Sequence, residues 1–600
     1  MRAVPVTTDH RWESVELENP SPHIGLLCRE LGISPLLARL LVIRNLHDPF
    51  AAEQFLNPRP EHCHDPFLMR DMQRAVGRLQ QALQRQEQVV VFGDYDVDGT
   101  AGAVLVYRYL KRIGMRVHYL IPERLSNGYG LTKPALQEMA RHRTRVVVTV
   151  DNGSTAVEEA HIAREWGIDL LITDHHQLGE VRPPAYALVN PSQLGCPYPF
   201  KGLCGTGVAY KLIQAFDQSL TQQGHWEQTG YLRPEVTRDL DLVALATLAD
   251  RMPLLDENRI LVRAGLELLN PCGRPGLQVL MSACGIRGMV TASVVSHRLI
   301  PKLNSVGRMN EPQLAARLLL AHSLMEARPL VKKLMVMNDE RRRVEQEVFR
   351  SALAQAAEQM HLPALILMQT DWHPGVMGSV ASRVASHLGK TTLMLTRAPN
   401  TVEQRSSEQE LTVGSARVVG DLNLCALLSE FTDLLERFGG HPAAVGMSLE
   451  SRNLERFRKR FQETVGGTSA PAPTASSPLP PIEAWLQPRE LHPKTTKDLL
   501  RMSPFGPENP EPVIGVRQAR PCKPRVFGQQ HLKFVLEDSG APLEVIAWNH
   551  AEWFPQPQQA YDLVVTPQLH VRRTGTPKVQ LWTLDMYQSV TPRRPFKVRP

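Results

Sequence analysis

Long apolar runs are missing from this sequence. No stretch approaches the roughly 18 consecutive apolar residues that a membrane span needs, and the mean hydropathy is −0.23. A spanning helix is therefore not expected. Paired cysteines are missing as well. The eight cysteines (Cys28, Cys63, Cys196, Cys204, Cys272, Cys284, Cys425 and Cys522) are scattered and form no Cys-x-x-Cys. That argues against a zinc ribbon and for reduced thiols in a reducing compartment. Met1 to Pro20 carry charges of both signs and no apolar core, so no secretory signal is expected and a cytoplasmic protein is. Aromatic residues make up only 6% of the chain, which confines any stacking on bases to a few places.

What is present is length and a mild positive charge. At roughly 100–200 residues per domain, 600 residues suffice for about three to five units. The net charge is +7 and the pI about 9.0, a modest basic excess that fits an anionic partner such as nucleic acid.

Residues 1–72 carry helical periodicity (Leu26, Leu31, Leu36, Leu37, Leu40, Leu41) and are read as a helical extension. A helix is expected over 72–86, from Met72, Val76, Leu79 and Leu83. The pattern then changes. Val89–Phe92, Arg145–Val150 and Leu170–Thr173 are short apolar, β-branched runs, with helices expected near 100–113 and 155–166 between them. Such runs imply parallel strands buried on both faces, hence a doubly wound α/β domain over 73–310. Residues 311–361 read as connecting helices divided at Pro329. A second α/β unit is expected over 362–465, opening with the strand Ala364–Met368. The Pro/Ala/Ser/Thr stretch 466–481 reads as a linker. Strand candidates Lys533–Glu537, Leu543–Trp548, Asp562–Thr566 and Val579–Leu584, with a turn at Asp538-Ser539-Gly540, make 482–600 a small β-barrel.

The decisive pattern is where carboxylates fall. The first run ends in Asp94-Tyr95-Asp96-Val97-Asp98-Gly99, the second in Asp151-Asn152-Gly153, the third in Asp174-His175-His176. A fourth apolar run, Leu242–Ala249, is read as another strand and ends in Asp250. Ligands of doubly wound sheets bind beyond the carboxyl ends of the strands, so four segments deliver acids and histidines to one rim. Carboxylates so crowded repel and raise one another's pKa unless cations intervene. Oxygen ligands with imidazole and no thiolate suit Mg²⁺ or Mn²⁺, and a pair of such ions can activate water against a phosphodiester. Any one of these acids alone would be a turn residue or a helix cap. Four successive strand ends carrying them are not explained that way.

These segments resemble the motifs of the DHH phosphoesterase superfamily, whose naming triplet is Asp174-His175-His176. The resemblance implies a metal pair held by Asp96, Asp98, Asp151, His175 and Asp250, with Asp151 and Asp250 as bridges. Asp94 would be a ligand or a base beyond the ligands, and His176 would orient ligands or touch phosphate. It also implies that no side chain serves as nucleophile. Trp372–Arg383, Gly414–Arg417 and Phe438–Gly446 look like the accompanying DHHA1 domain, read here as glycine-rich turns beside helix starts that offer N–H groups to anions. Asn304–Met309 reads as a small-residue turn presenting Arg308. The residues expected on nucleic-acid phosphates are Asn304, Arg308, His373, Arg383, Ser415, Arg417, Gly440 and His441. Gly389-Lys390-Thr391 is not a nucleotide loop, because Val384 stands where its first glycine belongs.

Glu123–Leu131, Lys201–Ala209 and Pro504–Pro512 are similar to segments of the RecJ family, and the order of units is that family's. Membership would imply a single-stranded-DNA-specific 5′→3′ exonuclease of repair and recombination that releases 5′-mononucleotides, binds DNA with an OB-type barrel, and works beside a helicase and a single-strand-binding protein. Phe534, Trp548, Trp553 and Trp582 are the aromatic candidates on that barrel. Arg251, where the family has valine, and Val418, where serine is usual, are departures that touch strand grip and not the metal set. Two rival readings are a phosphodiesterase of short oligonucleotides or cyclic dinucleotides, which the tail beyond residue 482 disfavours, and an inactive DNA-binding scaffold, which the intact acids disfavour.

Overall fold

The computed structural model describes residues 6–9, 12–17, 21–123, 130–398, 410–420, 422–467, 479–491, 493–536, 542–556, 559–570 and 578–588. Most of the Glu123–Leu131 segment, residues 468–478 of the expected linker, and the Asp538-Ser539-Gly540 turn lie outside these residues.

The β-branched runs form a five-stranded, wholly parallel sheet. Its spatial order is Val117–Leu120, Val89–Gly93, Val146–Val150, Asp169–Thr173, Ala187–Val189. Alternate side chains face two different cores, as a strand's two-residue period requires. Val89, Val91, Val146 and Val148 pack with the helices Val97–Arg112, Gly205–Gln222 and Leu240–Ala249. Val90, Phe92, Val147 and Ile172 pack with Leu136, Met139, Ala160 and Ala163 of the helices Lys133–Arg141 and Val157–Glu165. The sheet is thus doubly wound. The helix Met72–Gln84 falls where its spacing placed it.

Three local readings need correction. Leu242–Ala249 belongs to a helix, Leu240–Ala249, whose residues Leu240 to Leu248 are all buried. A helix sunk on every side loses its 3.6-residue signature and looks like a buried strand. Asn304–Arg308 is likewise the end of a helix, Ile300–Arg308, and not a turn. Pro329 lies inside the 35-residue helix Leu324–Glu358. So near the helix start it costs one ladder hydrogen bond. The break falls earlier, where Ser323 caps the helix by accepting from Glu326 N–H at 3.2 Å.

The second α/β unit has a five-stranded sheet in the order Arg437–His441, Ala444–Glu450, Leu411–Arg417, Thr392–Arg397, Leu365–Met368. Only the last pair is parallel. Gly414-Ser415-Ala416-Arg417 therefore lies within a strand, and Gly440-His441 ends one, so neither is a turn beside a helix start. Of the three glycine segments only His373 sits at such a start, capping the helix Pro374–Leu388.

Seven strands between Ala484 and Gln588 form the C-terminal sheet. The four strand candidates appear as His531–Leu536, Leu543–Ala547, Tyr561–His570 and Lys578–Gln588. The N-terminal segment does not stand apart as a helical extension. It opens with a hairpin, Val6–Asp9 against Trp12–Val15, and the hairpin pairs with Ile482. Leu37, Leu40 and Leu41, on the helix Pro35–Ile43, share one core with Phe534, Val545 and Leu563 of the C-terminal sheet. Helical spacing reports a buried stripe but not its partner, which here lies more than 400 residues away in sequence.

Candidate metal centre

Register brings the acids together. Gly93, Val150 and Thr173 are side by side at the ends of adjacent parallel strands, so Asp94, Asp151 and Asp174 follow them onto one rim. Asp96 caps the helix that begins at Val97, accepting from Gly99 N–H at 3.1 Å. Asp98 occupies that helix's first turn. Asp250 arrives at the C-terminal cap of Leu240–Ala249. The rim therefore collects strand ends, one helix start and one helix end. Asp151 has φ +64°, a left-handed conformation that asparagine and aspartate tolerate better than most residues.

The atoms converge closely. His175 Nε2 lies 3.1 Å from Asp151 Oδ1, 3.3 Å from Asp250 Oδ2 and 3.9 Å from Asp98 Oδ2. Three sets have possible ligand atoms within 4.8 Å of one another: Asp98, Asp151, His175 and Asp250; Asp94, Asp96 and Asp151; Asp151, His175 and His176. Asp151 is common to all three. Asp151 Oδ1 and His175 Nε2 are shut off from solvent, and neither completes a hydrogen bond of acceptable geometry. Burying such groups without partners is costly, and a cation between them would remove the cost. The residues fit divalent ions: hard oxygen donors, one or two imidazoles and no thiolate.

The charges tell the same story. Burial pushes the Asp96 carboxyl up to about 7, helped by the negative charges of Asp250 and Asp98. Burial and Asp250 raise Asp98. Burial and the charges of Asp98 and Asp96 raise Asp151 well above the ordinary carboxylate range. Burial alone would depress His175, but Asp250, Asp98 and Asp174 lift it to about 9. An ion would replace the protons that these groups otherwise share.

Sequence reasoning passed over the framework that holds these side chains. Asp174 lies at the centre of it. Its Oδ1 accepts from His175 N–H at 2.8 Å, His176 N–H at 3.3 Å and His176 Nδ1 at 2.8 Å. Its Oδ2 accepts from Ser154 N–H at 2.9 Å. Burial would raise this carboxyl, but the bond and charge of His176 dominate and hold it at about 2. Asp98 is clamped by the first two N–H groups of Gly205–Gln222, each at 2.7 Å. A Cβ on Gly205 would meet Asp151 Cβ at 2.5 Å, so only glycine lets that helix start approach. The Gly205-Thr206-Gly207 run, inside the family-like segment Lys201–Ala209 and opening an apolar helix, was the available signal. Asn304, expected on phosphate, accepts from Val97 N–H at 3.0 Å and so steadies the turn between Asp96 and Asp98.

The second unit reaches this rim through His441, whose ring stacks over His176 with centroids 6.4 Å apart. Arg417 donates to Ser415 Oγ at 2.9 Å, and both lie beside Gly378. His373 Nδ1 accepts from Gly375 N–H at 3.1 Å. A Cβ on Gly375 would strike Arg308 O at 2.1 Å, which marks close contact between the two units. A Cβ on Gly440 would strike Ala444 O at 2.2 Å. Arg383 is directed elsewhere: its guanidinium covers the Phe349 ring of the connecting helix at 3.8 Å.

Three family domains match this chain: the DHH family N-terminal domain over residues 88–247, the DHHA1 domain over 359–467 and the RecJ OB domain over 482–584. The single-stranded-DNA-specific exonuclease RecJ of Dickeya dadantii is 33% identical over 501 residues, which cover 80% of this chain and 84% of that one. The chain belongs to the RecJ family. RecJ of Bacillus subtilis is 32% identical over 547 residues, 90% of this chain, and the chain spans 66% of that protein's length. Among solved structures, RecJ of Thermus thermophilus in complex with Mn²⁺ superposes with a TM-score of 0.75 at 26% identity, covering 97% of this chain and 80% of that one. The Mg²⁺ complex of the same protein gives 0.70. The RecJ architecture thus includes the DHH sheet, the DHHA1 unit and the OB domain described above. Among the described residues no helix is long and apolar enough to cross a membrane.

Proposed function

We propose that this RecJ-family chain is a metal-dependent exonuclease that hydrolyses single-stranded DNA from its 5′ end to 5′-mononucleotides. The observation that supports this most directly is the convergence of Asp94, Asp96, Asp98, Asp151, His175 and Asp250 around one buried rim, with Asp151 shared by every subset. We assign Asp96, Asp98, Asp151, His175 and Asp250 as ligands of two Mn²⁺ or Mg²⁺ ions within a catalytic unit spanning 73–310. Bound ions would neutralise the carboxylates, activate water and stabilise the leaving oxygen of the phosphodiester.

The chain's own groups do the rest. Asp98 is pinned by two helix N–H groups and so presents its remaining lone pairs in a fixed direction. Asp174 fixes the His176 ring through Nδ1 and holds the backbone of Ser154, His175 and His176 through three further hydrogen bonds. His441 brings the second unit over the rim, where it and His176 can donate to a scissile or neighbouring phosphate. The Ser415–Arg417 pair beside Gly378 is the natural anchor for a further phosphate. Arg308 and His373 border the same junction. Asn304 and Gly440 serve by holding backbone rather than by touching DNA. Arg383 would reach DNA only by leaving Phe349.

On the C-terminal sheet Phe534 is fully buried and excluded from stacking, whereas Trp548 is exposed at the edge of a cluster with Phe527, His531 and Trp582. The 5′→3′ polarity, the cytoplasmic setting and cooperation with a helicase and a single-strand-binding protein rest on family resemblance alone. The test is digestion of an oligonucleotide labelled separately at each end, with Mn²⁺ or Mg²⁺, beside Asp151→Ala. Early release of 5′-labelled mononucleotide from single strands but not duplex, absent from the variant, is the expected result. Tight DNA binding without hydrolysis would overturn the proposal.

A further inference from the structure

A second cluster of charge lies at the far ends of the two helices that bring Asp96, Asp98 and Asp250 to the rim. Val97–Arg112 starts at the metal centre and ends in Arg108 and Arg112. Leu240–Ala249 ends at the metal centre and starts beside Asp239 and Asp241. With 16 residues, the first helix separates the two clusters by roughly 24 Å. At this distal end a cavity of about 330 Å³ is lined by Arg108, Arg112, Arg238, Arg274 and Asp241.

The arginines have two different jobs. Arg274 is structural. It donates to both Asp241 oxygens, at 3.0 and 2.8 Å, to Asp239 at 2.8 Å and to Leu319 O at 3.3 Å. Its side chain is only 6% exposed. Arg108 and Arg112 are differently placed. Each donates a single N–H to Asp239, at 3.0 Å, and among the described residues no other group takes their remaining N–H groups. Both stay partly open to solvent, at 21% and 32%. Asp239 already serves three guanidinium groups. Even counting Glu235, which approaches Arg238 at 3.7 Å in solvent, four arginines face three acids. Burial lowers the Arg108 pKa; the charge of Asp239 opposes this, and the like charges of Arg274 and Arg112 add to it. The helices Leu240–Ala249 and Pro275–Ala283 also begin at this place, adding two positive dipole ends.

We propose that this cavity binds the phosphate of a mononucleotide, with Arg108 and Arg112 as its ligands. Guanidinium forks match phosphate oxygens, and a phosphate monoester carries about −1.5 to −2 charge at pH 7, enough to consume the local excess. The volume is at the lower end of the roughly 300–1,000 Å³ range of small-molecule sites, which suits a single nucleotide. Leu268, Pro275 and Ala321 supply an apolar wall for sugar or base. The choice of a nucleotide over a bare anion rests on the exonuclease reading, whose product it is. The anion site itself does not.

The test is calorimetric titration of the full chain in EDTA with dAMP, inorganic phosphate and deoxyadenosine, so that no metal can hold the ligand at the catalytic rim. dAMP is expected to bind, deoxyadenosine not to, and phosphate to bind at least tenfold more weakly than dAMP. Arg108→Gln with Arg112→Gln is expected to weaken dAMP at least tenfold. The single Arg112→Gln, at the more exposed position, gives an intermediate loss and guards against a folding defect in the double variant. dAMP should also protect Arg108 and Arg112 of the wild type from phenylglyoxal, read by peptide mass. Undiminished dAMP binding in both variants overturns the site, and equal affinity for phosphate and dAMP overturns the nucleotide assignment. Strand digestion, run separately with Mn²⁺, fails or succeeds independently of these titrations.

Discussion

Arg259 is a fully buried cation with no carboxylate partner among the described residues, and replacing it by alanine should part the catalytic unit from the OB domain. All five of its N–H groups are used. Nε donates to Phe55 O at 2.8 Å, Nη1 to Met502 O at 2.7 Å and Pro504 O at 3.4 Å, and Nη2 to Arg501 O at 3.2 Å and Ser503 O at 2.9 Å. Its plane covers the Phe55 ring at 3.8 Å. One side chain of the DHH unit thus ties down the N-terminal helix Pro49–Leu56 and the loop entering the C-terminal sheet. Burial, aided by Arg263 and Arg44, lowers its pKa to about 9, yet the charge is useful where five carbonyl dipoles converge.

The cost of losing it can be worked from the partners left behind. In Arg259→Ala, Met502 O and Pro504 O keep the Asn509 side-chain amide, at 2.9 and 2.7 Å. Phe55 O, Arg501 O and Ser503 O lose their donor. Three stranded carbonyls at ~1–3 kcal/mol each, less what entering water restores, give a loss of about 4 kcal/mol. For a cooperative unit the size of the 73–310 catalytic unit that is a fall in Tm of roughly 8 °C, and about half that if the OB domain melts with it. Arg259→Lys keeps the charge and three donors and should lose about half as much. Calorimetry measures the fall, and hydrogen exchange at residues 501–504 locates it. A Tm for Arg259→Ala within about 2 °C of wild type, with unchanged exchange at that loop, would refute the reasoning.

Other consequences are as direct. Gly205→Ala forces a Cβ to 2.5 Å from Asp151 Cβ; misplacing a ligand by such a step should cut kcat on single-stranded DNA by about 100-fold, and a rate near wild type would show that the clamp is not needed. Asp174→Asn removes a carboxyl held at about 2. A depressed carboxyl contributes stability above its unfolded value near 3.8 and loses it as pH falls through the folded value, so wild type minus variant should be about 2 kcal/mol at neutral pH and vanish in acid. Metal binding should tighten as pH rises between about 6 and 8, because the ions must displace protons from Asp96, Asp98 and Asp151. Mn²⁺ titrations in buffers of different ionisation enthalpy would report the protons released, and none released would contradict the assignment. Asn304→Ala frees Val97 N–H from its cap and should lower the rate about tenfold through the Asp96 turn, with DNA affinity unchanged; a pure affinity loss would instead favour a phosphate contact.

Much of the sheet and the acidic rim could be read from sequence, because β-branched runs ending in Asp are local signals. Strand, turn and ligand lie within a few residues of one another at Asp94, Asp151 and Asp174. Where the signal is not local the reading failed. Leu242–Ala249 looks like a strand because every side chain is buried, yet it is a helix, and Asp250 reaches the rim from a helix end. For Asn304, read as a nucleic-acid contact from its place beside Arg308, nothing local to the sequence announces the bond it accepts from Val97 N–H, 207 residues away. Ser415 and Arg417 looked like a loop because glycine precedes them, whereas Gly414 is in mid-strand because a Cβ there would meet Leu395 at 2.5 Å.

The misplaced N-terminal segment connects these observations. Asp250 is followed within four residues by Leu254, whose N–H donates to Pro507 O at 2.9 Å. Five residues further on, Arg259 grips Phe55 and the 501–504 carbonyls. Arg44, from the N-terminal helices, donates to Asn509 at 3.0 Å and to Pro510 O at 2.7 Å. The OB loop is thus bonded on one side to the segment that carries Asp250 and on the other to the chain's first helices. DNA pulling on the OB domain would load the Asp250 segment through these bonds. If so, Arg259→Lys should raise KM for long single strands while leaving the rate on very short ones unchanged, whereas a merely stabilising role would leave both unchanged well below the melting temperature.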